Sequence, residues 1–154
     1  MFKLTAAILV PAMATLASDL PSKKYLNQAA VKTMVAASEA KAKEMNVGVT
    51  ICIVDEGGNL LFLEKGDGAS LNTLQFAQKK ARDAAAYGSP SRDAADAVKK
   101  GNVQNLAFPD FFPNQGGLPI RVDGQLLGGI AASGAKSEVD EQIAQAGLDA
   151  LLKQ

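Results

Sequence analysis

The 154-residue sequence predicts a single α+β domain built around an antiparallel sheet of about five strands flanked by helices. Stretches with helical spacing of apolar residues alternate with short apolar runs typical of strands, in the order helix, two strands, helices, two or more strands, helix. The strand runs are apolar on both faces. We therefore expect both faces of the sheet to be covered, by helices or by another subunit of a homo-oligomer.

Residues 1–17 have the layout of a secretory signal peptide, with one lysine before an apolar run that is too short to span a bilayer. Small residues offer cleavage sites near residue 14 and near residue 17. Pro11 disfavours the alternative, a buried N-terminal helix, because proline interrupts a helix interior. We expect an exported protein, periplasmic or extracellular, whose single domain spans residues 18–154.

The first part of this domain predicts a helix followed by a β-hairpin. The helix runs from Ser22, a possible N-cap, to about Met45, since its apolar residues recur at helical spacing. Two apolar strands follow, Val47 to Val54 and Leu60 to Glu64. The five residues between them include two glycines, which can adopt the positive φ of a tight reversal.

The middle of the chain predicts two more helices and a long loop. A turn at residues 66–68 leads to a helix from Asn72 to Tyr87, and Ser91 can cap a short helix from Arg92 to Lys100. Residues 101–117 have no regular period and carry three phenylalanines between prolines. This pattern predicts an ordered loop of the kind that walls a binding site.

The last part predicts a second hairpin and a final helix. Strands Ile120 to Val122 and Gln125 to Ser133 flank Asp123-Gly124, a dipeptide that favours a tight turn. Ser137 with Asp140 three residues later resembles a capping box. A helix is therefore predicted to begin there.

Composition excludes several classes of function. Sixteen basic residues balance sixteen acidic ones and no basic face alternates with aromatics, so no nucleic-acid partner is expected. The chain has no histidine, which excludes His-dependent nucleophilic catalysis, His-containing zinc sites and the commonest axial ligand of haem. We expect no metal site, and no membrane span after the signal peptide. The single cysteine, Cys52, lies in an apolar strand and is interpreted as core filler.

The glycine pairs favour chain geometry over a phosphate site. A dinucleotide-binding loop requires a strand that runs into a helix with a third glycine on that helix, and none of the pairs has this context. Gly116 and Gly117 are predicted in a turn, and Gly128 and Gly129 inside a strand where another backbone approaches. The residues expected to fix turns and strand geometry are Gly57, Gly58, Gly68, Gly116, Gly117, Pro119, Gly124 and Gly128.

Polar residues at strand ends and on the second helix are the candidate ligand-binding residues. Each carboxylate either bonds to turn amides or points into a cleft, and the cations either lie on a solvated helix face or pair with an anion. The tyrosine either packs or offers its hydroxyl. The candidates are Asp55, Asp67, Lys79, Lys80, Arg82, Tyr87, Ser133 and Asp140.

Four segments occur in a recognisable order over about residues 20–152: VTICIVDEGGNLLFLEKGDGA, QKKARDAAAYGSPS, GGLPIRVDGQLLGGIAASG and VDEQIAQAGLDAL. Together they resemble the GlcG-like or HbpS-like family of haem-degrading or haem-binding domains. The resemblance implies a profilin-like fold, homo-oligomers and a small-molecule ligand. In some relatives that ligand is haem, while others are linked to glycolate metabolism or belong to cobalamin adenosyltransferases.

Haem would need an unusual iron ligand here, since the chain has no histidine. The oxygen and sulfur ligands available are Tyr25, Tyr87, Met34 and Thr73, with lysine or arginine for the propionates.

Three functions remain open from the sequence. The first is an exported, oligomeric binding protein that takes a small anionic or tetrapyrrole ligand between the second helix and the strand ends at Asp55, Asp67 and Ser133. The second is an enzyme of small hydroxy-acid or tetrapyrrole metabolism, with an aspartate as general base and Lys80 or Arg82 holding a carboxylate. The third is an accessory subunit whose cleft is filled by its own phenylalanines.

Overall fold

The computed structural model describes residues 21–153, so the predicted signal peptide lies outside the described residues. The described chain forms an antiparallel sheet flanked by helices, which confirms the α+β class with four strands rather than about five. The elements are α1 (Gln28–Glu44), β1 (Thr50–Asp55), β2 (Leu60–Lys65), α2 (Thr73–Tyr87), α3 (Ser91–Lys99), a 3₁₀-helix η1 (Val103–Ala107), β3 (Gly117–Val122), β4 (Gln125–Ser133) and α4 (Ser137–Leu152).

The two hairpins predicted from the sequence are present, and they join through their inner strands. The strand order is β2-β1-β4-β3. In the central pair Thr50 lies opposite Ser133, and Asp55 lies opposite Gly128. The start of β1 and the end of β4 therefore meet at one end of the sheet, while Asp55 lies at the other.

Helices cover both faces of the central strands. On one face Ile53 and Ile130 pack with Met34 of α1 and with α4. On the other face Cys52 packs with Ala81 and neighbouring alanines of α2. Burial raises the pKa of the Cys52 thiol to about 12, which keeps it neutral and suits its predicted role as core filler.

The edge strand β2 is less well covered than its apolar sequence implies. Leu60 is 51% exposed and Leu61 is 40% exposed, and no residue of β2 is fully buried. The helices of the same chain therefore cover β1 and β4 but leave much of β2 open.

The first helix begins later than predicted. Asn27, not Ser22, is its N-cap, and the Asn27 side chain accepts a hydrogen bond from the amide of Ala30 at 2.8 Å. The preceding segment is held by the second hairpin, because the side-chain amide of Gln125 donates to the carbonyl of Lys24 at 3.2 Å. These tertiary contacts compete with helix formation at residues 22–26.

The predicted caps of α3 and α4 are also wrong. Ser91 is the first residue of α3, and its hydroxyl donates to the carbonyl of Asn114 and accepts from the amide of Gly117. Asp140 makes no capping box with Ser137; its carboxylate accepts from the amide of Ala135 at 2.9 Å. Both polar side chains bind neighbouring segments instead of their own helix starts.

Glycines allow the backbone of α2 to approach the sheet. A Cβ at Gly129 would overlap the carbonyl oxygen of Ala81, and one at Gly117 would overlap that of Lys80. The predicted close approach at the Gly128-Gly129 pair therefore includes the helix backbone. Positive φ angles occur at Gly58, Gly68, Gly116, Gly124 and Gly128, whereas Gly57 has none and Pro119 lies within β3.

Candidate functional site

Three predicted site residues, Lys80, Ser133 and Asp140, lie on one cleft of about 290 Å³ at the end of the sheet. We call it the sheet-end cleft. It lies where β4 ends and where α2 and α4 begin. Its other lining residues are Ser70, Asn72, Thr73, Phe76, Asn114, Gly134, Ala135 and Ser137.

A buried ion pair links α2 to α4 at this cleft. The ammonium of Lys80 lies 2.8 Å from the carboxylate of Asp140, and each side chain is no more than 3% exposed. The ammonium also donates to the carbonyl of Ala132 at 3.3 Å. Burial raises the pKa of the Asp140 carboxyl, although Lys80 and backbone amides oppose the shift. The pair thus joins elements on opposite sides of the sheet.

Hydroxyl groups lie beside the ion pair. Thr73 donates to the carbonyl of Ser70 at 2.6 Å, so the 2.7 Å contact between Thr50 and Thr73 has Thr50 as the donor. Ser133, directly across from Thr50, is 4% exposed, and no group within residues 21–153 forms a hydrogen bond with its hydroxyl. Sequence reasoning missed Thr50, because one threonine in an apolar strand is no signal of a site.

Two predicted site residues on α2 anchor the long loop. Arg82 pairs with Asp110 at 2.8 Å, and the hydroxyl of Tyr87 donates to the carbonyl of Pro109 at 2.7 Å. Both side chains are about half exposed and lie away from the sheet-end cleft. Arg82 and Tyr87 therefore hold the long loop in place, a role that the sequence alone does not reveal.

Asp83 completes the anchoring of this loop. It is buried, and its carboxylate accepts from the amide of Phe112 at 2.9 Å. Burial raises the pKa of the Asp83 carboxyl to about 6, against the effect of that bond. The ring of Phe112 packs 5.8 Å from that of Phe76, with the ammonium of Lys79 above it. The anchored loop delivers Asn114 to the cleft.

The phenylalanines that the accessory-subunit hypothesis places in a cleft lie outside the sheet-end cleft. Phe111 packs edge-on against Tyr87 at 5.8 Å, and Phe108 is 55% exposed. Neither these rings nor Phe112 lines the sheet-end cleft.

The structure does not bring Asp55 or Asp67 to the same cleft. Asp55 lies at the opposite end of the sheet, where its carboxylate accepts from the amides of Gly57 and Asn59. Asp67 is exposed in a turn and borders a different cleft, of about 360 Å³, beside α1. The single pocket predicted between α2 and all three strand ends is therefore not formed.

A second candidate site is a groove of about 330 Å³ between the start of α1, the β3–β4 hairpin and the end of α4. We call it the terminal groove. Tyr25 lies at the rim of this groove and is 75% exposed. Its hydroxyl forms no hydrogen bond with the described residues. The groove is lined by Lys23, Lys24, Tyr25, Leu26, Asn27, Ala30, Val122, Leu127 and Leu151.

The lysines of the terminal groove make surface ion pairs. Lys23 contacts Glu56 at 2.6 Å, and Lys24 contacts Asp123. All four side chains are at least one-third exposed, so these pairs exchange readily with solvent or with a ligand.

No helix between residues 21 and 153 is long and apolar enough to cross a bilayer. The same stretch of chain contains no group of three or more acidic, cysteine or histidine side chains placed to hold a metal ion.

Fold and clefts together define an α+β domain with ligand-sized clefts on its surface. The chain belongs to the HbpS-like family, because the family model described as haem degrading protein HbpS-like matches residues 26–149. This confirms the resemblance drawn from the four segments.

Relatives and solved structures agree with this assignment. Protein GlcG of Escherichia coli K12 is 31% identical over 114 residues, which cover 74% of this chain and 85% of GlcG. The crystal structure of Klebsiella pneumoniae protein ORFY matches with a TM-score of 0.81 and 29% identity, covering 91% of this chain and 99% of that one. The PduOC:heme complex matches with a TM-score of 0.76 and 27% identity, covering 82% and 95%.

Proposed function

We propose that this protein is an exported, oligomeric small-molecule-binding protein whose ligand is haem or a related tetrapyrrole, held in the terminal groove beside Tyr25. Family membership supports the ligand class, and a structural relative was solved as a haem complex. The observation that carries the position is the open hydroxyl of Tyr25.

The other candidate iron ligands are buried or already hold a structural hydrogen bond. Met34 is fully buried in the core beneath α1. The hydroxyl of Thr73 is bonded to Thr50 and Ser70, and that of Tyr87 to Pro109. Tyr25 lines the terminal groove, is the most exposed of the four candidates, and its hydroxyl holds no other part of the described chain in place.

The terminal groove suits an amphipathic ring system. Leu26, Leu127 and Leu151 supply apolar walls for a macrocycle, and Lys23 and Lys24 supply positive charge for its propionates. Tyrosine oxygen is an established ligand of haem iron, and the haem supplies iron-centred redox chemistry when bound. The protein's own part is to orient the ring and to fix its acidic edge at the rim.

Haemin titration of Tyr25→Phe tests this position. We expect the unsubstituted protein to give a saturable Soret change and the variant to bind at least about tenfold more weakly, because it loses the ligating oxygen and keeps the ring. Tyr87→Phe is the matched control and should bind as the unsubstituted protein does. Equal binding by all three proteins, or no saturable binding by any, would contradict the proposal.

Exposed apolar side chains support the proposal of a homo-oligomer. Leu60 and Leu61 are exposed on the edge strand β2, whose outer backbone groups have no strand partner within the described sheet. Val103, Leu106 and Phe108 are each more than half exposed on and next to η1. Large apolar side chains exposed on an edge strand, or close together along one segment, are features that protein interfaces often cover.

Native mass spectrometry of protein purified from its own host tests export, assembly and ligand together. We expect a multiple of the protomer mass, a protomer shortened by the residues before the cleavage site near residue 14 or 17, and retained haem. A full-length monomer would refute both export with cleavage and assembly. A ligand of another mass would refute the tetrapyrrole.

A further inference from the structure

The sheet-end cleft contains a serine hydroxyl without a hydrogen-bond partner in the described residues. Ser133 is 4% exposed, and within the described part of the chain its hydroxyl makes no hydrogen bond. Unlike the hydroxyl of Ser38, which is enclosed and unpaired, the hydroxyl of Ser133 opens onto the cleft, where water or a ligand can satisfy it. Ser133 therefore offers a donor to whatever occupies the cleft.

Two helix N-termini open onto the same cleft. Asn72 and Thr73 at the start of α2, and Ser137 at the start of α4, line it. Neither N-cap residue, Asn72 or Lys136, makes a side-chain capping bond. The amide of Thr73 donates to the carbonyl of Ser70, so the amides left without a partner in the described residues are those of residues 74–75 and 137–138. Each helix start carries a partial positive charge of about one-half. This arrangement favours a negatively charged ligand.

The side chains that line the cleft carry no net charge. Lys80 and Asp140 are the charged residues of the lining, and they neutralise each other. The remaining positive potential comes from the two helix starts, and Glu138 in the first turn of α4 lowers that of its own helix. A singly charged anion suits this balance better than a multiply charged one. The lining of hydroxyl and amide side chains suits a small polar ligand better than a porphyrin ring.

We infer that the sheet-end cleft is a second binding site, distinct from the terminal groove, for a compact organic monoanion of the small carboxylate class. Ser133 donates a hydrogen bond to the carboxylate, and the amides at the starts of α2 and α4 face its charge. Asn114, carried in by the long loop, meets the uncharged part of the ligand.

Calorimetric titration with sodium lactate tests this site, with sodium phosphate and sodium chloride as comparison anions. We expect lactate to bind saturably to the unsubstituted protein. We expect it to bind at least about tenfold more weakly to Ser133→Ala, because a hydrogen bond to a charged group is lost. Ser22→Ala, an exposed serine outside the cleft, is the matched control and should bind normally. Thermal melts verify that both variants fold.

Amide chemical shifts locate the bound lactate independently of any variant. Shifts at residues 73–76 and 133–138 are expected. Absence of saturable shifts there, equal weakening in both serine variants, or tighter binding of phosphate than of lactate would overturn the inference. Haemin titration reads out the terminal groove, so failure at one site leaves the result at the other intact.

Discussion

Lys80→Met is expected to lower the free energy of unfolding by about 3–5 kcal/mol at neutral pH, because it leaves the carboxylate of Asp140 buried without its counter-ion. The two side chains are 2% and 3% exposed, so solvent cannot replace the lost charge. Urea unfolding followed by circular dichroism measures the loss. Such a loss would argue against the hypothesis that Lys80 is a free catalytic clamp, which predicts unchanged stability.

The same variant has a defined pH dependence. Burial raises the pKa of the Asp140 carboxyl, so the folded state binds a proton more readily than the unfolded state and stability falls as pH rises. The loss in Lys80→Met should therefore be smaller at about pH 5 than at about pH 8. The double variant Lys80→Met/Asp140→Asn should recover most of the free energy of unfolding that Lys80→Met loses. A pH-independent loss with no recovery in the double variant would show that lost packing, not charge, is responsible.

Gly129→Ala is expected to cost at least about 2–3 kcal/mol, because overpacking against backbone cannot be relieved by a rotamer change. Its Cβ would overlap the carbonyl oxygen of Ala81 and lie 3.1 Å from the amide nitrogen of Ala85, so α2 would have to move away from the sheet. Urea unfolding measures the cost.

Gly68→Ala is the matched control for this prediction. Gly68 has a φ of 80°, but a Cβ there meets nothing within 4 Å. Gly68→Ala should lower the free energy of unfolding by about 1–2 kcal/mol, which is the backbone strain of a left-handed alanine alone. If the two substitutions cost the same, close helix approach is not the reason for glycine at position 129.

The local sequence pattern predicted most of the helices and strands. Tertiary contacts determine the residues at which some of them begin. Helix α2 and the turn at Asp123-Gly124 follow from periodicity and turn chemistry that act within a few residues. The start of α1 does not follow from local sequence, because Ser22 and Asn27 are both residue types that favour an N-cap. Contacts between Lys24 and Gln125, 101 residues apart, select the later one.

The candidate site was only partly predictable for the same reason. Lys80 and Asp140 were each nominated from local sequence, but their pairing spans 60 residues and no local pattern encodes it. One signal did exist. Lys80 lies three residues after Ala77 and four before Ala84, on the buried face of α2, which disfavours the solvated-surface interpretation. Asn114 carries no such signal, since the fold of a long loop positions it.

The terminal groove makes both ends of the described chain part of one surface. Leu26 precedes the first helix and Leu151 lies in the last turn of the final one, where local opening costs least free energy. Fraying of either end removes a wall of the groove. A ligand that binds only the closed form opposes that fraying by mass action. If the terminal groove binds the proposed ligand, its occupancy and the order of the segments that carry Leu26 and Leu151 are therefore thermodynamically linked.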